Sequence, residues 1–495
     1  MRNDRNWSII RTISLCVQLL AEVVAVIVVL QLNMLPGKYI ALFIGVMVIL
    51  AAGSTLLMFI HVKERIALWR RITSCVLAGL VLCGCVFVSK VAYDAYQLVS
   101  GVTGGESGTR STYVLVLNED KAYAVEDTKG YRFGAVENYD VEHTQQMVAL
   151  IEKETAQTPA VTNYPQASLM ADALYSGDVD ALIMNDASIS LLLEQPKYSD
   201  FLNRVRLIFT MTHENSSSGE SAENKELVST PFFVYISGSD TRSKLLDVSR
   251  SDVNILAVVH PETKQILLIN TPRDYYVPNP AGKDKLDKLT HCGLYGAENS
   301  MKTLSTLYNV EIDHYGKINF TGFEKLIDAI GGVTVYSDEA FTAQDYYIKK
   351  GDNQLNGEQA LKFARERHNV SGGDNGRGKN QMKVIKAVVE KLASSKALIS
   401  NYADILKSLE GMFSSDFSSE AISDLVKMQL ADMATWNVQS FAVTGKGGFA
   451  ETYSAPGEDL YVMWPNEDAV AYASALIQRV VDGEILTSAD MVMPK

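Results

Sequence analysis

The chain contains 495 residues, with 58 acidic and 45 basic side chains and a formal net charge of −13. This length predicts two or three domains rather than one core, and the acidic balance argues against a nucleic-acid-binding protein. Four of the five cysteines lie in or beside apolar segments near the amino terminus, which leaves Cys292 alone in the rest of the chain. A lone cysteine excludes an internal disulfide and a cysteine-type zinc site there.

Three apolar runs near the amino terminus each approach the ~20 residues that a helix needs to cross a bilayer. They extend from about Ile9 to Leu32, from Tyr39 to Ile60 and from Ile72 to Ala92. A cleaved signal peptide has one shorter run and a cleavage site of small residues. The three runs therefore predict three transmembrane helices, with buried helices of a soluble core as the alternative.

The basic residues around these runs are distributed unevenly, which predicts the orientation of the chain in the membrane. They lie before the first run and between the second and the third, at Arg2, Arg5, Lys63, Arg65, Arg70 and Arg71. The first connecting loop has only Lys38. We therefore expect a multi-pass membrane protein with a cytoplasmic amino terminus, in which everything from about Tyr93 onward lies outside the cell.

Composition divides the exterior part into two α/β domains. The Gly/Ser-rich "VSGVTGGESGTR" and the polar "ENSSSGESAENKE" have the composition of linkers. The predicted organisation is a membrane region (1–94), a linker (95–111), a small accessory α/β domain (112–213), a flexible linker (214–228), a larger domain (229–482, core motifs 240–395) and a carboxyl-terminal tail (483–495).

Alternating strand and helix patterns predict an α/β/α layered architecture for the larger domain. "DVNILAVVH" and "KQILLINTPRD" have the pattern of adjacent strands, and the helix "FEKLIDAIGG" ends at Gly331 and Gly332. "NGEQALKFA" and "NQMKVIKAVVEKLAS" have the pattern of helices opened by asparagine caps. The later strand "WNVQSFAV" is expected to complete the same domain.

The stretch "KFARERHNVSGGDNGRGKNQ" concentrates Arg365, Arg367 and Arg377 around glycines. Like charges brought to ~4 Å repel by about 4 kcal/mol at an effective dielectric constant of 20. The arginines therefore need a compensating anion. That anion is either a neighbouring carboxylate, of Glu366 or Asp374, in a structural ion-pair network, or a bound anionic ligand.

Further charged residues flank the predicted strands. Arg273 follows "ILLINTP" at the carboxyl end of a strand, where open α/β sheets bind ligands, and Lys288 and His291 are candidates for the same mouth. Asp240 and Asp252 flank the start of the first predicted strand. Two such carboxylates form ordinary ion pairs, or they hold a Mg²⁺ ion that also binds phosphate oxygens.

Several separated motifs resemble the LytR-CpsA-Psr family, and most closely its capsule-associated CpsA-like members. They are "SDVNILAVVHPETKQILLINTPRDYYV", "DKLTHCGLYG", "INFTGFEKLIDAIGGVTVY", "LNGEQALKFARERH" and "GGDNGRGKNQMKVIKA". The resemblance implies an extracytoplasmic phosphotransferase in the cell membrane of a Gram-positive-type envelope. Such an enzyme moves capsular polysaccharide, or a related anionic glycopolymer, from a polyprenyl-pyrophosphate carrier to peptidoglycan.

The resemblance also implies roles for individual residues. Asp240 and Asp252 match the metal-associated acids, for Mg²⁺ or Mn²⁺, and Lys288 matches the lysine of the "DKLTH" segment. The catalytic and pyrophosphate-binding positions are Arg273, Arg365, Arg367, Arg377 and Gln381. Either Asp252 or Asp274 is the expected acceptor of the proton from the incoming hydroxyl.

Three rival functions remain open at this stage. One is a regulator that binds DNA, against which the short cytoplasmic segments argue, so no nucleic-acid partner is expected. The second is a non-catalytic scaffold that binds the polyprenyl lipid and contacts capsule assembly proteins. The third is a polyprenyl-pyrophosphate hydrolase, in which water replaces the sugar hydroxyl at the same site.

Overall fold

A computed structural model describes residues 2–32, 35–59, 64–102, 109–137, 140–214, 227–239, 250–371, 373–392, 405 and 412–494. By packing, the chain divides into two compact units. The first unit contains the described residues of 1–103, 392–410 and 418–435. The second unit contains those of 104–391, 411–417 and 436–495, and it includes the five-stranded and the six-stranded sheets.

Three long apolar helices form the amino-terminal part of the first unit. They are α1 (Arg2–Leu32), α2 (Gly37–Phe59) and α3 (Glu64–Val102). Within them, Thr12–Gln31, Gly37–Leu57 and Ile72–Tyr93 are long and apolar enough to cross a membrane, which agrees with the three predicted spans. The side-chain amide of Gln18 donates to Glu22 (2.8 Å) within α1 and to Ser54 of α2 (3.0 Å), so buried polar groups link the two helices.

A five-stranded sheet in the order β3-β2-β4-β1-β5 forms the accessory domain. Its elements are β1 (Thr109–Leu117), β2 (Arg132–Val136), α4 (Val141–Thr155), β3 (Ala160–Tyr164), α5 (Ala167–Ser176), β4 (Ala181–Asn185), α6 (Asp186–Glu194), α7 (Phe201–Arg204) and β5 (Val205–Glu214). Helix α4 packs Met147 and Ile151 on one face of the sheet. Helix α5 packs Met170 and Leu174 on the other face. This mixed α/β arrangement agrees with the predicted one.

The larger domain is built on a six-stranded sheet in the order β16-β11-β6-β7-β8-β17. The strands are β6 (Phe232–Ser239), β7 (Val253–His260), β8 (Gln265–Thr271), β11 (His314–Asn319), β16 (Phe413–Ser415) and β17 (Asn437–Ala442). Small two-stranded ladders lie outside it: β9 (Tyr276–Asn279) with β10 (Lys285–Lys288), β12 (Val333–Ser337) with β15 (Gly351–Leu355), β13 (Phe341–Ala343) with β14 (Tyr346–Ile348), and β18 (Gly445–Thr452) with β19 (Ala455–Pro465).

Helices cover both faces of the six-stranded sheet, as the predicted α/β/α layering requires. The helices of the second unit in this region are α8 (Leu289–Cys292), α9 (Ala297–Tyr308), α10 (Phe320–Ala329), α11 (Gly357–Arg365), α12 (Asp374–Leu392) and α14 (Glu467–Val481), whereas α13 (Ser419–Asp432) belongs to the first unit. Leu304 of α9 and Leu476 of α14 pack on one face with Leu267. Met382 of α12 packs on the other face with Leu268. Five short 3₁₀ turns lie at Val125–Thr128, Pro196–Tyr198, Pro280–Gly282, Gly293–Tyr295 and Ser488–Met491.

Two predictions about individual elements were incomplete or wrong. Asn356 does cap α11, because its side chain accepts from the backbone N–H of Gln359 at 2.9 Å. Asn380 does not open α12, which already begins at Asp374. Strand β6, which directly follows the polar linker and lies at the centre of the sheet, was missed.

Candidate functional site

Four strands of the six-stranded sheet have their carboxyl ends at the same edge. β11 runs parallel to β6, β17 runs parallel to β8, and both β6 and β8 pair antiparallel with β7. The carboxyl ends of these four strands therefore lie at the same edge as the start of β7. Arg273 follows β8 and Asp252 precedes β7, so the prediction that Arg273 emerges at a strand's carboxyl end is confirmed.

Four charged side chains form a continuous chain of alternating sign at this edge. Nη1 of Arg273 lies 2.9 Å from Oδ1 of Asp252. Nε of Arg273 lies 3.6 Å from Oδ2 of Asp274, whose Oδ1 lies 3.0 Å from Nζ of Lys288. The Lys288 side chain is only 6% exposed and that of Asp274 only 13%, so these charges are weakly screened by solvent.

A buried network of hydroxyl and amide groups lies directly before Asp252. The hydroxyl of Ser251 lies 2.8 Å from that of Tyr235 and 2.7 Å from that of Ser237. Tyr235 also donates to Oδ1 of Asn254 at 2.7 Å. Burial raises the pKa of Tyr235, which keeps the phenol neutral and able to donate. Because these groups satisfy one another, they hold the start of β7 in one position.

Backbone hydrogen bonds fix the same segment to its neighbours. The N–H of Asp252 donates to the carbonyl of Gly238, near the end of β6, at 2.8 Å. The N–H of Ser251 donates to the carbonyl of Thr290 (3.2 Å), whose own N–H donates to the carbonyl of Arg273 (2.8 Å). The segments that carry Asp252, Arg273 and Lys288 are therefore tied together through main-chain atoms.

Arg365 lies at the same edge because of an aromatic contact. Its guanidinium carbon is 4.8 Å from the centre of the Phe320 ring, and Phe320 is the first residue of α10, directly after β11. The Arg365 side chain is exposed, as is that of Arg367, whose Nε donates to Nε2 of His368 at 3.2 Å. Helix α11 ends at Arg365, so Arg367 lies beyond the helix.

Glu366 does not neutralise these arginines in the way expected from the sequence. Its carboxylate accepts from the backbone N–H groups of His368 (2.8 Å) and Asn369 (3.0 Å). Burial acts to raise the pKa of Glu366, but the backbone donors outweigh it and lower the pKa below its usual range. Glu366 therefore shapes the loop that presents Arg365 and Arg367, and both guanidinium groups stay exposed.

The first turns of α12 bring Arg377 and Gln381 to the end of β8. A Cβ atom at Gly378 would lie 3.8 Å from Nδ2 of Asn270, the residue before the last of β8. A Cβ atom at Gly376 would lie 2.3 Å from the carbonyl oxygen of Ser371, so this turn accepts only glycine. The helix starts beside the segment that carries Arg273, and both Arg377 and Gln381 are half-buried.

Other predicted positions are corrected or lie outside the described residues. His291 does not reach the mouth, because it is fully buried and its Nδ1 lies 2.8 Å from Oδ1 of Asp287. Asp240 and Gly372 lie outside the described residues, as does the side chain of Asp374. Phe320, which supports Arg365, has no signal in the sequence, because an apolar residue at a helix start is usually part of the core.

Of the two acids predicted to bind a metal, Asp252 is the one that the structure describes at this edge. Oδ1 of Asp252 lies 2.9 Å from Nη1 of Arg273. The described residues contain no group of three or more His, Cys, Asp or Glu side chains suited to a metal. Mg²⁺ nevertheless binds through one or two protein carboxylates when phosphate oxygens and water complete its shell.

Similar proteins identify the family to which this chain belongs. A model of the LytR_cpsA_psr family matches residues 205–468. A polyisoprenyl-teichoic acid–peptidoglycan teichoic acid transferase TagU of Enterococcus faecalis is 34% identical over 235 residues, which are 47% of this chain and 75% of that protein. The TagU of Bacillus anthracis is 32% identical over 230 residues, 46% of this chain and 73% of that protein. The crystal structure of B. subtilis TagV matches with a TM-score of 0.43 and 22% identity, covering 51% of this chain and 98% of that one, which is too low to support a functional argument.

Proposed function

Because the chain belongs to the LytR-CpsA-Psr family, we propose that it transfers a phospho-glycan from a polyprenyl-pyrophosphate carrier to peptidoglycan. The observation that carries the proposal is the chain Asp252–Arg273–Asp274–Lys288 at the carboxyl ends of the sheet strands. It holds an arginine fork at the place where α/β sheets bind ligands. The named relatives carry out transfer from a polyisoprenyl carrier to peptidoglycan.

The reaction is an attack by a sugar hydroxyl of peptidoglycan on the phosphorus nearer the glycan. A new phosphorus–oxygen bond forms, the bond to the bridging oxygen breaks, and polyprenyl phosphate leaves with that oxygen. The proton of the hydroxyl passes to a carboxylate of the site, Asp252 or Asp274. The guanidinium groups of Arg273, Arg365, Arg367 and Arg377, with Lys288 and Gln381, bind the pyrophosphate oxygens and stabilise their charge in the transition state.

Asp252 and Asp240 are the residues that would hold the metal ion, Mg²⁺ or Mn²⁺. Such an ion neutralises charge on the transferring phosphate. The side chains of this protein orient the substrate independently of it, because the planar fork of Arg273 is already fixed by Asp252 and Asp274. The metal ion and the guanidinium of Arg273 would together bind the two adjacent phosphates of the carrier.

The proposed location is the cell membrane, with the amino terminus in the cytoplasm and the catalytic domain outside. The three apolar helices and the cations that precede the first and third spans support this orientation. A membrane anchor keeps the active site close to the bilayer, where a polyprenyl tail must remain. Proteins of capsule assembly in the same membrane are the proposed neighbours.

Capsular polysaccharide is the proposed glycan, on the resemblance of the motifs to CpsA-like members. Teichoic acid is the second candidate, and the names of the relatives favour it. The two are distinguished by offering the enzyme a capsular and a teichoic acid donor on the same polyprenyl pyrophosphate. Preference for the teichoic acid donor would reject the capsular assignment and leave the reaction type intact.

The test uses the full chain in detergent micelles, a short-chain polyprenyl-pyrophosphate glycan and a soluble peptidoglycan acceptor, with and without Mg²⁺. We expect glycan on the acceptor, dependent on the metal. Arg273→Ala should lower the rate by about 10²- to 10³-fold, the usual cost of removing one transition-state donor. Arg204→Ala, the same change at an exposed residue of the accessory domain, is the matched control.

Two outcomes would replace the proposal with one of its rivals. Release of polyprenyl phosphate and a glycan phosphate, without modification of the acceptor, would identify a hydrolase. Tight binding of the lipid with no turnover, unchanged by Arg273→Ala, would identify a scaffold that binds the carrier without catalysis.

A further inference from the structure

A cavity of about 450 Å³ lies between the accessory sheet and the larger domain, within the second unit. Its walls come from the ends of β2 and β3, from α6, and from the loops around β10 and the β18–β19 hairpin. This volume falls within the ~300–1,000 Å³ of small-molecule pockets. None of the residues proposed to act in the transfer reaction lines this cavity.

The cavity lies at the carboxyl edge of the parallel strands of the accessory sheet. Val136 ends β2, Gln166 follows β3, and Ser188 follows β4, and all three line the cavity. The connection from β2 passes through α4 on one face, and the connection from β3 returns through α5 on the other face. β2 and β4 are adjacent parallel strands whose connections leave in opposite directions. Such switch points are where open α/β sheets bind ligands.

The lining combines cations, amides, hydroxyls and aromatic rings without an acid. Lys283 and Lys285 are exposed lysines of the wall, and neither forms a salt bridge with a described residue. The amide oxygen Oε1 of Gln166 is buried and has no hydrogen-bond partner among the described atoms. In a chain of net charge −13, a wall with two lysines and no Asp or Glu favours an anionic ligand.

Aromatic side chains complete the wall on the side of the larger domain. The rings of Tyr295 and Tyr453 have their centres 6.2 Å apart, and the hydroxyl of Tyr295 lies 3.1 Å from that of Ser454. A Cβ atom at Gly282 would lie 2.7 Å from the Tyr453 ring, so glycine is what allows this ring to pack against the loop. Lys285 Nζ lies 5.8 Å from the centre of the same ring.

We infer that this cavity binds a saccharide segment that carries a carboxylate or phosphate group, as a second glycan subsite of the enzyme. Tyrosine rings offer apolar faces to the C–H side of sugar rings, whereas Gln166, Ser454 and the neighbouring hydroxyls suit sugar hydroxyls. Lys283 and Lys285 attract the anionic substituent. The inference rests on the proposed function for the source of the saccharide, which is either the transferred polymer or the glycan strand of peptidoglycan.

Strand β10 connects this cavity to the catalytic edge. Alternate residues of a strand point to opposite faces, so Lys285 and Asp287 share one face and Lys288 lies on the other. Asp287 accepts from the hydroxyl of Ser454 at the cavity, and its Oδ1 accepts from the N–H of Lys288 at 2.8 Å. Lys285 and Lys288 are three residues apart, roughly 10 Å in an extended strand. A saccharide in the cavity therefore lies within a few sugar units of the proposed phosphate site.

The test measures binding by isothermal titration calorimetry, with the full chain in a detergent that has no sugar headgroup. The probes are a glucuronate-containing tetrasaccharide, a muramic-acid-containing tetrasaccharide of peptidoglycan and a neutral glucose tetrasaccharide. We expect saturable binding of at least one acidic probe, about tenfold tighter than the neutral one. The preferred acidic probe identifies whether the saccharide belongs to the polymer or to peptidoglycan.

Two substitutions in the wall and one outside it test the location. Lys285→Glu should weaken binding of the acidic probe by about tenfold, and Gln166→Leu should weaken all bound probes. Lys129→Glu makes the same charge change at an exposed accessory-domain lysine outside the lining and should stay within about twofold of wild type. Equal effects of Lys285→Glu and Lys129→Glu, or equal binding of acidic and neutral probes, would overturn the inference.

The outcomes separate this inference from the proposed function. Arg273→Ala should bind the tetrasaccharide as the wild type does, because Arg273 does not line the cavity. Absence of transfer with intact saccharide binding would reject the transferase and keep the subsite. Intact transfer with no saccharide binding would reject only the subsite.

Discussion

Lys288→Met is expected to destabilise the larger domain and also to abolish transfer. Methionine keeps the length of the side chain and removes the charge. The ammonium of Lys288 lies 3.0 Å from Oδ1 of Asp274, and the two side chains are 6% and 13% exposed. The substitution leaves the Asp274 carboxylate in a poorly hydrated place, where Nε of Arg273 lies 3.6 Å from its Oδ2.

The magnitude follows from this geometry. At 3.0 Å and an effective dielectric constant of 20, the Coulomb attraction of the pair is about 5.5 kcal/mol. The desolvation of both groups offsets much of this attraction, and removal of one partner from a buried pair costs about 3–5 kcal/mol. Since Arg273 still stabilises Asp274, the lower end applies. We expect a loss of about 3 kcal/mol in the free energy of unfolding.

The assay is urea-induced unfolding of the detergent-solubilised chain, followed by tryptophan fluorescence. Trp464 reports on this region, because the neighbouring Met463 donates its N–H to the carbonyl of Asp274 at 2.7 Å. The double variant Lys288→Met/Asp274→Asn removes both charges. It should regain about 2 kcal/mol relative to the sum of the single losses and should remain inactive.

Three results would refute this reasoning. A loss below about 1 kcal/mol in Lys288→Met would mean that the pair behaves like an exposed salt bridge. Additive effects in the double variant would mean that the two groups are not coupled. Transfer activity in Lys288→Met would show that Lys288 has no part in binding the pyrophosphate.

Three further substitutions have defined expectations. Phe320→Leu removes the ring below Arg365 and should raise the KM for the lipid donor about threefold with little change in kcat, since an exposed cation–π contact contributes about 0.5–1 kcal/mol. Glu366→Gln should lower stability at neutral pH by about 1–2 kcal/mol, and because the pKa of Glu366 is lowered in the fold, the wild type should lose this advantage as the pH falls through that pKa. Hydrogen bonds from Thr487 and Arg479 lower the pKa of Asp490 to about 2. Asp490→Asn should therefore lower the thermal midpoint near neutral pH, and the difference from the wild type should vanish as the pH approaches 2. Asp459→Asn, at an exposed site, should leave the midpoint near neutral pH unchanged.

The sequence predicted best those elements whose signal is local. The three apolar helices follow from unbroken hydrophobic runs, and the pairing of β7 with β8 follows from two apolar runs joined by a short turn. The position of Arg273 was predictable for the same reason, because a strand end is a local feature. Asn356 also caps its helix as expected, since a capping box depends only on residues three apart.

Predictions that depended on tertiary contacts were incomplete or wrong. Gly376 and Gly378 disfavour a helix by propensity, yet α12 already runs through them, because Gly376 lies against the carbonyl of Ser371 and Gly378 beside Asn270. His291 resembled a site residue next to Lys288, but a pair with Asp287 buries it. The local sequence pattern does not predict where α12 begins or that His291 is buried, because both depend on tertiary contacts.

The four residues of β10 lie between the cavity beside the accessory domain and the catalytic edge. Lys285 lines the cavity and Lys288 lies at the catalytic edge, while Asp287, behind the wall, accepts from the hydroxyl of Ser454 and from the backbone N–H of Lys288. Lys288 in turn lies 3.0 Å from Asp274, whose carboxylate is beside Arg273. The wall of the cavity and the proposed pyrophosphate site therefore share one short strand.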